Sequence, residues 1–159
     1  MKRMKITMPS ELVVNIVPTS SRNSEGNFLM PPTKATPGSA AFDCRITEPV
    51  MFYNGQKHLL DLGFRIAIPE GYVGKLFVRS GLSRQGFTLA NGVGIIDPDY
   101  RGTVMANMLY QGEAPVRTLA QGERVCQLII EEIPLVSFRL VDDLGETTRT
   151  GGFGSTGRE

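Results

Sequence analysis

The chain has 159 residues, 21% of them charged, and a formal net charge of +1. This length is typical of one domain that buries a core without disulfide or metal support. The near-neutral balance argues against a basic nucleic-acid surface, so an anionic ligand must be bound by a few placed cations. No apolar run is long enough for a signal peptide or a membrane span, which predicts a cytoplasmic protein with no membrane partner.

The two cysteines, Cys44 and Cys126, have no CxxC spacing and no histidine-rich surroundings. We therefore expect buried, unreactive thiols and neither a disulfide framework nor a zinc site. The chain contains 18 glycines and 10 prolines, which separate short β-rich runs. This composition favours an all-β domain over a helical one.

Short apolar runs separated by turn residues predict a series of strands. The first is residues 12–17, and a polar loop follows from Pro18 to Gly38. Further strands are predicted over residues 40–46, 50–53, 58–68, 73–78, 116–119 and 125–133. One helical turn fits Leu82 to Gln85, because Gly86 follows as a stop signal.

Strand 40–46 alternates between apolar and charged side chains. Phe42, Cys44 and Ile46 share one face. Asp43 is therefore expected to point away from the core.

Residues 91–102, with the sequence NGVGIIDPDYRG, join two apolar runs, and the second run is Val104 to Leu109. The pattern predicts a tight β-hairpin with two carboxylates, an aromatic ring and a guanidinium at its tip. Aspartate and proline are also ordinary turn formers. On its own, the stretch fits a turn and a functional site equally well.

The character of the chain changes after Asp142. Residues 145–159 hold one large apolar residue, Phe153, among glycines and hydroxyl side chains. Such a segment cannot bury enough surface to fold alone, so we predict a β domain over residues 1–141 and a flexible arm over 142–159. A frayed terminus is one explanation. A phenylalanine between glycines, beside hydroxyls and an arginine, also suits a nucleotide.

Five segments carry glycines and polar residues in a distinctive order: 39–45 (SAAFDCR), 79–83 (RSGLS), 91–102, 122–129 (GERVCQLI) and 151–157 (GGFGSTG). Together they resemble the five motifs of the trimeric dUTP pyrophosphatases, or dUTPases. The resemblance implies a jelly-roll-like β fold and a homotrimer whose active sites are each built from all three chains. It also implies hydrolysis of dUTP to dUMP and pyrophosphate, which removes dUTP and supplies dUMP for dTMP synthesis.

The resemblance assigns the chemistry to two aspartates. Asp97 matches the carboxylate that activates water for attack on the α-phosphorus, a step that needs a base within hydrogen-bond reach. Mg²⁺ would be held mainly by the triphosphate and water, and Asp43 would order these surroundings indirectly. Asp99 fits a turn and network carboxylate better than a second base.

The phosphate contacts implied by the resemblance are Arg79, Ser80 and Gly81, which offer guanidinium, hydroxyl and backbone N–H donors. Gln127 would bind the α-phosphate or position the water. Two alternatives stay open beside the resemblance: Arg79 also fits a surface ion pair, and Ser80 also fits a helix N-cap.

Selection of base and sugar would come from the 91–102 segment. Asn91 and the backbone from Gly92 to Ile96, including Gly94, would read the uracil edge, where a mispaired cytosine leaves buried groups unsatisfied. Lack of space at C5 would exclude thymine. Tyr100 would pack under the deoxyribose and leave no room for a 2′-hydroxyl.

The C-terminal motif would close the site. Phe153 would stack on uracil, while Arg149, the Gly154 N–H, Ser155 and Thr156 would bind the γ-phosphate. The arm would thus close on a triphosphate and open on dUMP. The chain departs from the family pattern by one residue here, since only Thr150 separates Arg149 from the Gly-Gly-Phe.

Two other functions remain open. A dCTP deaminase shares the β fold and the trimer, but it needs a glutamate base and a different reader of the base edge, so Asp97 with Tyr100 favours the pyrophosphatase. A non-catalytic nucleotide-binding regulatory trimer is disfavoured by the intact Asp97 and the intact C-terminal motif.

Overall fold

The computed structural model describes residues 11–19 and 31–147. Within these ranges the chain forms ten strands and one short helix. The elements are β1 (Asn15–Pro18), β2 (Phe42–Arg45), β3 (Val50–Tyr53), β4 (Lys57–Ala67), β5 (Tyr72–Val78), α1 (Ser80–Ser83), β6 (Phe87–Leu89), β7 (Gly94–Ile96), β8 (Thr103–Tyr110), β9 (Val116–Leu119) and β10 (Arg124–Glu132).

The strands form two four-stranded sheets, with the orders β1-β4-β8-β6 and β2-β10-β5-β7, and a two-stranded sheet of β3 and β9. The pairings between named strands are antiparallel. The predicted all-β fold is therefore confirmed. No helix in the described residues is long and apolar enough to cross a membrane.

Alternating side chains of both larger sheets build the core. Along β8, Val104, Ala106, Met108 and Tyr110 are buried, whereas the residues between them are partly or fully exposed. This period of two is what a sheet with one buried face requires. Apolar side chains of β2, β5 and β10 belong to the same cluster. The core thus lies between the two sheets.

The predicted hairpin over residues 91–102 is wrong. β7 pairs with β5 in one sheet, and β8 pairs with β4 and β6 in the other. The residues from Asp97 to Gly102 therefore connect the two sheets instead of turning back within one. Apolar alternation indicates where strands lie but not which strand each will pair with, and this is why the sequence suggested a hairpin.

The single helical turn begins at Ser80, two residues before the predicted start. Leu82 anchors it in the core with 3% of its surface exposed. Gly86 ends the turn with φ of 90°, and its carbonyl accepts a 2.8 Å hydrogen bond from the Gln111 N–H. A Cβ on Gly86 would lie 2.7 Å from the Gln111 carbonyl carbon, so this position requires glycine.

The chain leaves the folded body after β10. The Ile133 N–H still donates to the Gly71 carbonyl at 2.8 Å, but residues 134–147 contain no strand or helix and are all exposed. The predicted boundary at 141/142 stays a prediction, and most of the loop 18–38 lies outside the described residues.

Candidate active site

One group of candidate residues surrounds the Asp43 carboxylate on β2. Arg79, directly after β5, donates from Nε to Oδ1 at 2.8 Å. Arg124, at the start of β10, donates from a terminal guanidinium nitrogen to Oδ2 at 3.1 Å. Asp43 is only 8% exposed. Each carboxylate oxygen is thus bonded to a different guanidinium, which offsets the cost of burying the charge.

Strand geometry places Gln127 beside this cluster. The Asp43 N–H and carbonyl bond to Thr33 at 2.8 and 3.2 Å, so they point away from β10. Gln127 is the register partner of Asp43 on β10. Asp43 and Gln127 thus form a non-hydrogen-bonded antiparallel pair, in which the two side chains lie closer together than in a hydrogen-bonded pair. Asp43 faces away from the core residues Cys44 and Ile46, as predicted, but is covered by the two arginines.

At the end of β5, the Arg79 guanidinium lies next to the first N–H groups of α1. Arg79 is the N-cap residue of α1, with φ of −75° and ψ of 142°, and makes no side-chain cap hydrogen bond. Ser80 is the first helical residue, so the alternative that Ser80 caps the helix is wrong. The first N–H groups of a helical turn have no helical partner. Ser80 and Gly81 can therefore offer backbone donors next to the Arg79 guanidinium.

A second group of candidate residues lies on the connection between the sheets. Asp97 is exposed directly after β7, and its carbonyl accepts the Tyr100 N–H at 3.1 Å. The Tyr100 hydroxyl donates to the Thr103 carbonyl at 2.8 Å. Arg101 donates to the carbonyls of Pro98 and Tyr100 at 2.6 and 2.8 Å. These bonds fix the turn and leave the Asp97 side chain to the solvent.

In residues 91–96, before this turn, the main chain is better placed than the side chains to contact a ligand. The Asn91 side-chain amide donates to the Val93 carbonyl at 3.2 Å, within a tight turn that has Gly92 at φ of 72°. A Cβ on Gly94 would lie 3.0 Å from the Leu76 Cβ. Ile96 is 5% exposed and packs in the core. Any contact that Ile96 makes with a ligand must therefore come from its main chain.

The two groups remain separate within one chain. Among the described residues, no side-chain hydrogen bond or ion pair joins the Asp43 cluster to the 97–102 turn. The predicted residues Arg149, Phe153, Gly154, Ser155 and Thr156 lie outside the described residues. A cavity of about 540 Å³ opens beside residues 11–16, and none of the candidate site residues lines it.

The sequence motifs assign no role to Arg124 or Arg101. Both lie within the segments singled out above, but only the three-dimensional contacts reveal that they bind Asp43 and the turn carbonyls. Arg79 makes an ion pair, as its alternative interpretation suggested, although the pair is partly buried, with 28% of the Arg79 side chain and 10% of the Asp43 side chain exposed.

The predicted burial of the cysteines is confirmed. Cys44 and Cys126 are 1% and 0% exposed, are free thiols, and are register partners on β2 and β10. A side-chain hydrogen bond with Cys44, together with burial, raises the pKa of the Cys126 thiol well above its ordinary value. No group of three metal-ligating side chains occurs in the described part of the chain.

Comparison with known proteins identifies the family. The family model described as dUTPase matches residues 27–157. A deoxyuridine 5′-triphosphate nucleotidohydrolase of Anaeromyxobacter sp. (strain Fw109-5) is 42% identical over 129 residues, which cover 80% of this chain and 87% of the relative.

Two solved structures share the fold. The dUTPase of Staphylococcus bacteriophage 80alpha with dUPNHPP has a TM-score of 0.75 at 21% identity, covering 91% of this chain and 98% of the other. A mutant of the dUTPase from phage phi11 of S. aureus, described with a structural Mg(II) ion, has a TM-score of 0.70 at 19% identity, covering 84% of this chain and 99% of the other. The fold is thus the jelly-roll-like one that the motifs predicted. The family model matches most of the chain, residues 27–157, and the Anaeromyxobacter relative is 42% identical to it. The chain therefore belongs to the dUTPase family.

Proposed function

We propose that the protein is a dUTP diphosphatase that hydrolyses dUTP to dUMP and pyrophosphate, thereby removing dUTP and supplying dUMP for dTMP synthesis. The observation that carries the proposal is the family match over residues 27–157. These residues include the exposed Asp97 carboxylate and the paired arginines around Asp43. The cytoplasmic location stays a prediction.

Asp97 acts as the general base in this proposal. It removes a proton from the water that attacks the α-phosphorus, and the pyrophosphate leaves. Support comes from its exposure and from the fixed turn, in which the Asp97 carbonyl accepts the Tyr100 N–H at 3.1 Å. A fixed main chain at this point sets the direction in which the Asp97 side chain leaves the turn, which helps to position a nucleophile.

Arg79 binds the negatively charged phosphates, and Ser80 and Gly81 donate further hydrogen bonds to them. Gln127 binds the α-phosphate or positions the water. Support comes from the position of Arg79 next to the exposed start of α1. Guanidinium and backbone donors that are already in place stabilise phosphate charge in the bound substrate as well as in the transition state, without reorganisation.

Uracil is read by Asn91 and the main chain through Gly94 to Ile96, and deoxyribose packs against Tyr100. Support comes from the tight turn between Asn91 and Val93 and from the position of β7 at the edge of its sheet, where one side of its main chain has no neighbouring strand in that sheet among the described residues. A fixed main chain pairs with one pyrimidine edge and leaves buried groups unpaired with the other.

Mg²⁺ fits this site as an ion held mainly by the triphosphate. Both oxygens of Asp43 accept hydrogen bonds from guanidinium groups, so Asp43 is suited to an indirect role through water. Mg²⁺ commonly keeps several waters and binds substrate phosphates instead of an all-protein cage. When bound, it neutralises charge on the phosphate oxygens.

We further propose a homotrimer with active sites shared between chains. Support comes from the placement of the two groups of site residues on different parts of the fold and from the apolar residues that one chain leaves in solvent. Leu135, Phe138, Leu140 and Leu144 are each more than 90% exposed. Burial against a second chain would remove a large apolar area from water. In the same proposal, Phe153 stacks on uracil, and Arg149, Gly154, Ser155 and Thr156 bind the γ-phosphate.

The experiment that tests the function compares two products. The protein is incubated with Mg²⁺ and either dUTP or dCTP, and both pyrophosphate, converted to phosphate by a pyrophosphatase, and ammonia are measured. We expect pyrophosphate from dUTP and no ammonia from dCTP. Ammonia release from dCTP would instead indicate the deaminase, and binding of dUTP without either product would indicate a regulatory trimer.

A further inference from the structure

We propose that Arg124 is a positioning residue for the phosphate site: it neutralises Asp43 and so keeps the charge of Arg79 available to the triphosphate. The inference rests on the proposed function. It assigns to Arg124 an effect on phosphate binding that is exerted through Asp43, with no contact between Arg124 and the reacting atoms.

The geometry of Asp43 supports this assignment. Oδ1 accepts from Arg79 at 2.8 Å and Oδ2 from Arg124 at 3.1 Å. The Asp43 side chain is 10% exposed, and the Arg79 and Arg124 side chains are 28% and 43% exposed. The carboxylate is thus enclosed, while both guanidinium groups keep access to solvent.

Arg124 also contacts Arg79 directly through its main chain. A terminal nitrogen of Arg79 donates to the Arg124 carbonyl at 3.5 Å, and the Arg79 N–H donates to the Val125 carbonyl at 3.4 Å. These bonds involve the backbone of β10, so a substitution at Arg124 leaves them in place. The effect of the Arg124 side chain on Asp43 can therefore be tested separately.

Charge arithmetic gives the direction of the effect. One carboxylate and two guanidinium groups carry a net charge of +1, whereas Asp43 with Arg79 alone is neutral. Without the Arg124 charge, Asp43 would hold Arg79 more strongly and would compete with the phosphates for it. The loss should appear in the affinity for the triphosphate more than in the rate of the chemical step.

The test compares Arg124→Gln and Arg124→Lys with Arg45→Gln as the matched control. Arg45 is the register partner of Arg124 on β2, but it donates to the Gly122 carbonyl at 2.8 Å and not to Asp43. We expect Arg124→Gln to raise KM for dUTP about tenfold and change kcat less than about threefold. We expect Arg124→Lys to recover most of the affinity and Arg45→Gln to remain close to wild type.

A double-mutant cycle separates action through Asp43 from a general loss of charge. Binding of the non-hydrolysable analogue dUPNHPP is measured for wild type, Arg124→Gln, Asp43→Asn and the double variant. If Arg124 acts through Asp43, Arg124→Gln should weaken binding about tenfold in wild type and less than about threefold in the Asp43→Asn background. Equal losses in both backgrounds would overturn the inference.

Failure of the inference and failure of the proposed function give different results. If wild type binds dUPNHPP but does not hydrolyse dUTP, the proposed function is wrong and the cycle still tests Arg124. If wild type hydrolyses dUTP and Arg124→Gln binds the analogue as wild type does, the inference alone is wrong. Should Arg124→Gln melt well below wild type, Arg124→Met, which keeps the apolar stem, takes its place.

Discussion

Gln127 and Asp43 are direct cross-strand neighbours on β10 and β2, and the Asp43 carboxylate beside Gln127 is already bonded by two arginines. A neutral amide at this position adds a polar group without adding charge. The strand pairing therefore brings two residues that are 84 positions apart, Asp43 and Gln127, next to the two arginines on one surface.

Replacement of Gln127 by glutamate is expected to weaken dUTP binding by about tenfold or more. The new carboxylate repels the Asp43 carboxylate directly opposite and cancels positive charge of the two arginines. KM for dUTP measures the weaker binding, and a lower melting temperature measures the repulsion between the two carboxylates. Gln127→Met is the control, since it keeps the length without the charge. Equal effects of the two substitutions would show that charge at this position does not matter.

Replacement of Asp97 by asparagine is expected to preserve dUTP binding and slow turnover by at least about 10²-fold, since a positioned base contributes about 10²–10⁴. Single-turnover hydrolysis and calorimetric binding measure the two properties. Asp99→Asn, in the same turn, serves as the control and should retain turnover within a few-fold. Near-normal turnover of Asp97→Asn would remove Asp97 from its proposed role.

Replacement of Gly86 by alanine is expected to lower the free energy of unfolding by about 2–4 kcal/mol, because left-handed backbone strain adds to a clash with main-chain atoms. Gly55 has a similar φ of 86° but nothing within 4 Å of a Cβ. Gly55→Ala should therefore lose only the strain, about 1 kcal/mol. Urea unfolding measures the free energy of unfolding of both variants. Equal losses would mean that the clash with residues 111–112 does not contribute to the destabilisation.

The raised pKa of Cys126 predicts a loss of stability at alkaline pH. In the folded chain the raised pKa keeps the thiol protonated to a higher pH, whereas in the unfolded chain it ionises near its ordinary pKa of about 8.5. The unfolded state then binds fewer protons, so the free energy of unfolding should fall as pH rises, by up to about 1.4 kcal/mol per pH unit for this one group. Cys126→Ala should have a shallower pH dependence between pH 8 and 10. An unchanged slope would contradict the assignment.

Local patterns predicted most of the strands but not all of their partners. Residues 50–53 and the core alternation of β2 followed directly from apolar period and turn residues. The predicted hairpin at 91–102 is wrong because β7 pairs with β5 and β8 pairs with β4. The apolar pattern of a short stretch of sequence does not show which distant strand it will pair with.

The site was predictable as a set of residues but not as an arrangement. The motif resemblance alone indicates Asp43, Arg79 and Gln127. It did not indicate that Arg124 completes the bonding of Asp43, because that contact depends on the register between β2 and β10. It also did not indicate that the Ile96 side chain belongs to the core and leaves only its main chain for a ligand.

The central claim is that this chain cleaves dUTP, and only dUTP among the common deoxynucleoside triphosphates, between the α- and β-phosphates. The most direct measurement incubates the purified protein with Mg²⁺ and, separately, dUTP, dCTP, dTTP, dATP and dGTP, and identifies the products by mass. We expect dUMP and pyrophosphate from dUTP and no comparable turnover of the other four. Untouched dUTP, or equal consumption of dCTP and dTTP, would contradict the account.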